Sequence, residues 1–124
     1  MLRFARYLVL GLLLSASPAA AQTPAFVTGT EDLPLMTGLA EQAEGRMVFD
    51  SPNGRIVEVS ARGAVSRQAV LSFYAETLPQ LGWQRLAPGR FQREDEILKL
   101  EFPGDASGQT TVRFTLSPVK APVR

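Results

Sequence analysis

Apolar and polar residues alternate along the second half of the chain, which is the pattern of β-strands with one buried face. In residues 97–102, Leu98 and Leu100 point to one side, while Lys99 and Glu101 point to the other. Similar patterns predict further strands at residues 83–86, 90–93 and 110–117. Alternation this regular is typical of an antiparallel sheet that exposes one face to solvent.

Two earlier segments, residues 47–50 and 56–62, also have the pattern of strands. Between them lie Pro52, Asn53 and Gly54, which favour a tight turn because proline presets φ and the other two residues tolerate positive φ. In the second segment Val57 and Val59 alternate with polar residues. The two segments are therefore predicted to form a hairpin.

A helix is predicted over residues 66–81. Ser66 is a suitable N-cap, and Gly82 followed by Trp83 matches a C-terminal Schellman cap. Pro79 cannot donate a backbone hydrogen bond, so we expect a bend or an early end at that residue. An apolar stripe recurs at intervals of three and four residues: Val70, Phe73, Tyr74, Leu78 and Leu81.

These elements predict a two-layer α+β domain, in which one main helix packs on an antiparallel sheet, with the order β-β-α-β-β-β. The domain is assigned to residues 46–117, an extended arm or linker to residues 22–45, and a frayed tail to residues 118–124. Residues 38–44 are compatible with one helical turn. Two hypotheses remain open for the apolar cluster of the arm: it lies over the domain, or it belongs to a partly disordered terminus. The cluster consists of Leu33, Leu35, Met36 and Leu39.

The first 21 residues have the three parts of a cleavable signal peptide. Arg3 and Arg6 precede a short apolar run, and alanines at 19–21 match a cleavage site. The run is too short to span a bilayer, so no stable membrane insertion is expected after cleavage. The sequence therefore predicts a periplasmic protein, with secretion as the second choice.

Composition limits the chemistry. The 124 residues include no histidine and no cysteine, which excludes histidine-based catalytic relays, thiol chemistry and lipidation at a cysteine. The chain has 13 basic and 12 acidic residues, and two of the arginines lie in the predicted leader. A nearly neutral mature chain has no electrostatic footprint for nucleic acid. We expect no nucleic-acid partner, no metal and no cofactor.

The segments Glu31-Asp32-Leu33-Pro34-Leu35-Met36-Thr37-Gly38, Phe73-Tyr74, Leu78-Pro79 and Leu81-Gly82-Trp83 resemble a recurrent bacterial envelope module. Such modules have this N-terminal motif, a helix with the aromatic pair and the Gly-Trp end, and antiparallel strands. Thr37 stands where the module usually has proline. The resemblance covers about residues 31–117 and implies an exported α+β protein. It implies no catalytic residue.

The densest acidic group is Glu94-Asp95-Glu96. Two functions are considered for it: the carboxylate pair of a glycosidase and a calcium-binding loop. A carboxylate pair must flank the scissile bond across a cleft, and a calcium loop needs spaced oxygen ligands with a glycine. The sequence favours a solvated hairpin turn instead. We predict that the protein is not an enzyme.

Two groups of residues are candidates for binding. Tyr74 and Trp83 lie where the helix meets the sheet and are suited to stacking on a sugar or lipid, although core packing is the favoured interpretation. Arg62 and Arg113 lie on the predicted solvated face of the sheet, where arginine is favoured in protein interfaces. We predict a non-catalytic module that binds or supports another cell-envelope component, with an envelope protein as its partner. The alternative is a small-ligand binding protein that uses Tyr74 and Trp83.

Overall fold

A computed structural model describes residues 25–106 and 108–120. Within these ranges the protein is an α+β arrangement dominated by an antiparallel sheet, with one short helix. The strands are β1 (Ala40–Ser51), β2 (Gly54–Gly63), β3 (Gln84–Ala87), β4 (Arg90–Arg93), β5 (Glu96–Glu101), β6 (Asp105–Ala106) and β7 (Gln109–Pro118), and the helix is α1 (Arg67–Thr77). The predicted signal peptide lies outside the described residues.

The sheet has the strand order β1-β2-β7-β5-β4-β3, and the two-residue β6 pairs with β7. All of these pairings are antiparallel. Strands β1 and β2 form the predicted hairpin, in which Ser51 lies opposite Gly54. Strand β7 is central, and β1 and β3 are the two edges.

Helix α1 begins where Ser66 predicts but ends at Thr77, short of the predicted residue 81. The Ser66 hydroxyl accepts a hydrogen bond from the amide of Ala69 at 3.0 Å. The α-helix ends at Thr77, and a 3₁₀ turn (Leu78–Leu81) follows it because Pro79 interrupts the helical hydrogen bonding. Gly82 has a φ of 92°, and the amide of Trp83 donates to the carbonyl of Leu78 at 3.0 Å. This is the Schellman geometry.

The element order differs from the predicted one. The predicted order counts three strands after the helix, although four segments there, at 83–86, 90–93, 97–102 and 110–117, have the pattern of strands. All four form strands, as β3, β4, β5 and β7, and the two-residue β6, which pairs back on β7, is a fifth that the pattern does not predict. Strand β1 also begins at Ala40 rather than at residue 47, so the helical turn considered for residues 38–44 does not form. A bulge interrupts β1 between Gln42 and Met47, and sequence alternation does not reveal it.

One face of the sheet, here called the covered face, carries the core. Its buried side chains come from alternate residues of the central strands, while α1 contributes Val70 and Tyr74 to the same core and the 3₁₀ turn contributes Leu78. The strand residues are Val57, Val59, Ala61, Phe91, Leu98, Leu100, Val112, Phe114 and Leu116. Leu81, predicted to belong to the helical stripe, is 36% exposed because it lies in the 3₁₀ turn beyond the helix.

The arm lies over the domain, which decides between the two hypotheses for its apolar cluster. Val27, Leu33 and Leu39 are buried in the core, and Leu35 and Met36 pack against it half-buried. The arm folds back on itself, since the amide of Val27 donates to the carbonyl of Leu33 at 2.8 Å. At its end the carbonyl of Gly38 contacts Gly63 so closely that a side chain at residue 63 would overlap it.

Candidate binding surfaces

Tyr74 joins the helix to the arm. Its side chain is fully buried, and its ring meets that of Phe114 edge-on with centroids 5.3 Å apart. The hydroxyl donates to the carbonyl of Pro34 at 2.8 Å and accepts from the amide of Met36 at 3.1 Å. Burial raises the pKa of the Tyr74 phenol far above its usual value. Tyr74 therefore acts as a neutral structural group that positions the arm.

A second contact ties the arm to the strands. Arg93, at the end of β4, donates from Nη1 to Asp32 Oδ2 at 2.7 Å and from Nη2 to Asp32 Oδ1 at 3.1 Å. Nη1 also donates to the carbonyl of Leu81 at 3.0 Å. The guanidinium lies 4.4 Å from the centroid of the Trp83 ring, which is a cation–π distance. One arginine thus holds the arm, the 3₁₀ turn and the buried indole together.

Two of the acidic residues near this contact, Asp32 and Glu96, have opposite pKa shifts. The hydrogen bonds from Arg93 lower the pKa of Asp32 and raise that of Arg93 itself. Partial burial raises the pKa of Glu96, and the positive charge of Arg93 only partly opposes this. The region therefore contains one stabilised carboxylate and one that resists ionisation.

A cavity of about 250 Å³ opens between the arm and the sheet. Asp32, Arg93, Glu96 and Arg55 give it a charged lining, and Trp83 lies at its wall. The indole Nε1 of Trp83 is buried and has no hydrogen-bond partner within the described part of the chain. Buried donors are usually paired, so this atom is an exception among the described residues.

The four predicted binding residues are not brought together. Tyr74 and Trp83 are buried on the covered face, and of the two only Trp83 lines the cavity. Arg62 and Arg113 lie on the opposite face. Arg62 donates to the Thr111 hydroxyl at 3.2 Å, and Arg113 pairs with neighbouring carboxylates. The prediction that the four residues bind a ligand stays untested.

The opposite face, here called the open face, carries the alternate residues of the same strands. Arg113 lies 3.5 Å from the Glu58 carboxylate and 3.9 Å from that of Glu101, while Lys99 lies 3.8 Å from Glu101. These side chains are all partly exposed to solvent. Among the described residues, the open face is therefore a mixed-charge surface with no buried side chains of its own.

Apolar side chains extend the open face at the β1 edge. Met47 and Phe49 are 42% and 44% exposed, and Phe49 lies directly opposite the half-buried Ile56 of β2. Val48, between them, is 43% exposed and points to the covered face opposite Val57. In the part of the chain that the structure describes, no strand pairs with the outer edge of β1. Three consecutive apolar residues on an unpaired edge are unusual, because such edges promote association.

Sequence reasoning missed both the arginine contact and the free edge. Asp32 and Arg93 are 61 residues apart, and no local pattern relates them. The edge had a signal, since Met47, Val48 and Phe49 form an unbroken apolar run in a predicted strand. The strand order that leaves this run at an edge is a tertiary property.

The acidic turn Glu94-Asp95 joins β4 to β5, and Glu94 takes up the positive φ of 52° that the turn requires. Among residues 25–106 and 108–120 no group of three or more acidic side chains is placed to hold a metal ion. The same residues include no helix long and apolar enough to cross a membrane. The absence of a cofactor stays a prediction.

Comparison with known proteins gives no match among family models, curated proteins or solved structures. The resemblance to an envelope module therefore stays a prediction carried by its sequence motifs.

Proposed function

We propose that this protein is a non-catalytic, exported binding module, and that its open face docks a protein of the cell envelope. The proposal includes export by the N-terminal leader to the periplasm. It also includes a two-layer arrangement in which α1 and the arm occupy one face of the sheet and leave the other for the partner.

The proposal rests on the difference in side-chain burial between the two faces of the sheet. On the covered face, residues such as Val59 and Leu98 are completely buried. On the open face the neighbouring residues Glu58 and Lys99 remain partly exposed, as do Met47 and Phe49 at the edge. Apolar side chains surrounded by charges of both signs match the composition of protein interfaces, which have an apolar centre and a polar rim.

The partner is expected to present an apolar patch with its own mixed charges. The charged residues Glu58, Lys99, Glu101 and Arg113 would set its orientation, since complementary charges contribute more to specificity than to affinity. Anionic polymers are a poor match for the open face, because acidic and basic residues are interspersed on it.

Site-specific photo-crosslinking in the native cells tests this proposal. A photoreactive amino acid at Thr115, on the open face, is expected to give one discrete heterologous adduct. The matched control is Ser72, an exposed residue of α1. Adducts from Ser72 and none from Thr115 would contradict the proposal, and so would no adduct from either position.

A second candidate function, small-ligand binding, is favoured by the charged cavity between the arm and the sheet, which has the side chain of Trp83 at its wall. Trp83 is the only tryptophan in the chain, so its fluorescence reports on the cavity. A saturable change on titration with small polar metabolites or sugars would support this candidate, and a flat response would remove it.

A further inference from the structure

We infer that the charged cavity between the arm and the sheet binds a free amino acid with an apolar side chain, whose ammonium group pairs with Glu96 and whose carboxylate pairs with Arg55. The inference rests on the second candidate function, small-ligand binding, and names the class of the ligand. It follows from the order in which the strands place charged side chains along the cavity.

Arg55 and Glu96 lie on the same face of the sheet but on strands that are not neighbours. Arg55 lies two residues before the buried Val57 in β2, so its side chain points to the covered face. Glu96 has the same relation to the buried Leu98 in β5. Strand β7 lies between β2 and β5, which places their backbones about 10 Å apart. The two side chains therefore line one cavity with opposite charges but do not form an ion pair with each other.

The carboxylate of Glu96 has no direct partner. Arg93 lies opposite it on β4, but both Nη atoms of Arg93 donate to Asp32, at 2.7 and 3.1 Å. The ion pairs of the described residues do not include Glu96. Partial burial raises the pKa of Glu96, because the carboxylate loses hydration without gaining a direct partner. A bound ammonium group would replace part of this lost hydration.

The guanidinium of Arg55 has only weak partners. It lies 3.5 Å from Asp50, and the two side chains are 52% and 83% exposed, so the pair contributes little. Nη1 of Arg55 donates to the carbonyl of Gly29 at 3.4 Å, which directs the guanidinium towards the arm. A ligand carboxylate can accept two parallel hydrogen bonds from a guanidinium and can therefore compete with Asp50.

The balance of charge in the cavity favours a ligand that carries both signs. Asp32 and Arg93 neutralise each other, which leaves Arg55 and Glu96 together with Glu31, whose side chain is exposed. A ligand with a single charge would leave either Arg55 or Glu96 without a partner in a partly desolvated site. A zwitterion pairs with both.

The remaining lining sets the size and polarity of the ligand. The volume of about 250 Å³ is below the range of about 300 to 1,000 Å³ for pockets that hold drug-sized molecules. Leu33, Trp83 and Leu116 supply apolar surface in the same cavity. A small molecule with two opposite charges and an apolar part matches these features, and an apolar amino acid has all of them.

Binding of L-leucine to the protein, measured by Trp83 fluorescence and by isothermal titration calorimetry, tests the inference. L-Alanine and L-phenylalanine serve as smaller and larger probes. Two analogues each remove one charge, since N-acetyl-L-leucine lacks the ammonium group and L-leucinamide lacks the carboxylate. We expect saturable binding of L-leucine and binding of each analogue that is about tenfold weaker.

Two variants assign the charges of the ligand to their residues. Glu96→Gln should weaken L-leucine about tenfold and leave N-acetyl-L-leucine unchanged, because that analogue has no ammonium group to lose its partner. Arg55→Gln should weaken L-leucine to the same extent and leave L-leucinamide unchanged. Glu94→Gln is the matched control, since this neighbouring carboxylate does not line the cavity, and it should bind L-leucine as the wild type does.

Three results would overturn the inference. They are no binding of the three amino acids by either method at millimolar concentration, equal binding of L-leucine and its two analogues, and binding that neither Glu96→Gln nor Arg55→Gln weakens. Circular dichroism of each variant separates loss of binding from loss of folding. Binding of an uncharged sugar but of no amino acid would overturn the inference and leave small-ligand binding intact. The crosslinked adduct expected from Thr115 is independent of both results.

Discussion

The two faces of the sheet are formed by the same strands, but their side chains make different kinds of contact. On the covered face, Val59 and Phe114 are almost completely buried, and the polar groups of Tyr74 are paired with the arm. On the open face, charged side chains form exposed pairs at 3.5 to 3.9 Å. Because successive residues of a strand point to opposite sides, one chain segment can stabilise the fold and present a surface at the same time.

The two faces of the sheet are expected to contribute differently to stability and to association. Apolar burial supplies most of the favourable free energy of folding, whereas exposed ion pairs contribute about 0 to 1 kcal/mol. Substitutions on the covered face are therefore expected to change stability, and substitutions on the open face are expected to change association.

The largest effect is expected for Trp83→Ala. The ring is 4% exposed, so its removal should lower the free energy of unfolding by about 3 to 5 kcal/mol. Urea denaturation followed by circular dichroism measures this change. Leu86→Ala, at a residue that is 46% exposed, is the control, with an expected change within about 0.5 kcal/mol. Equal effects would mean that the indole is not part of the core.

Tyr74→Phe should have the next largest effect. The phenyl ring keeps its contact with Phe114, but the carbonyl of Pro34 and the amide of Met36 lose their partner. Unpaired buried groups of this kind cost about 1 to 3 kcal/mol. The arm should also become more sensitive to proteolysis, while Thr115→Ala on the open face should leave proteolysis unchanged. An arm that stays equally resistant in Tyr74→Phe would show that the hydroxyl does not position it.

The contact between Asp32 and Arg93 predicts a pH dependence. Because the pKa of Asp32 is lowered in the folded protein, its stabilisation is present at neutral pH and is lost as the pH falls through that pKa. Asp32→Asn should therefore lower stability by about 1 kcal/mol at pH 7, and the difference from wild type should shrink in acid.

Glu96 provides a control for which the opposite pH dependence is expected. Its pKa is raised in the folded protein, so ionisation opposes folding as the pH rises through that pKa. Glu96→Gln should keep or increase stability at neutral pH. Parallel pH profiles for Asp32→Asn and wild type would contradict the assigned role of the ion pair.

The smallest effect is expected on the open face. Arg113→Ala removes two exposed ion pairs, with Glu58 and with Glu101, and should change stability by at most about 0.5 kcal/mol. The same variant should weaken the heterologous adduct formed from Thr115. A large loss of stability would indicate that the pairs of the open face support the fold.

Local signals in the sequence predicted the parts of the structure that depend on neighbouring residues. Ser66 caps α1, Pro79 ends it, and Gly82 closes the turn because each acts on backbone within a few positions. The alternation that assigns Val57, Leu98 and Leu116 to one face is likewise local.

Such local signals do not predict contacts between residues that are far apart in the sequence. Nothing near Asp32 specifies Arg93, and the bulge that lets β1 begin at Ala40 depends on its pairing with β2. The sequence did not decide where the arm lies for the same reason. Its buried residues Val27 and Leu33 have no periodic spacing that distinguishes them from residues of a loop. The exposed apolar edge at β1 follows from the strand order rather than from the residues of β1 alone.

The difference in burial between the two faces is tested most directly by the rate of thiol labelling at two adjacent residues. The chain has no cysteine, so Ser60→Cys and Ala61→Cys each introduce a single reactive group in β2. We predict rapid labelling at residue 60, on the open face, and labelling at residue 61 only as fast as the protein unfolds. Equal protection at both residues, or faster labelling at residue 61, would contradict it.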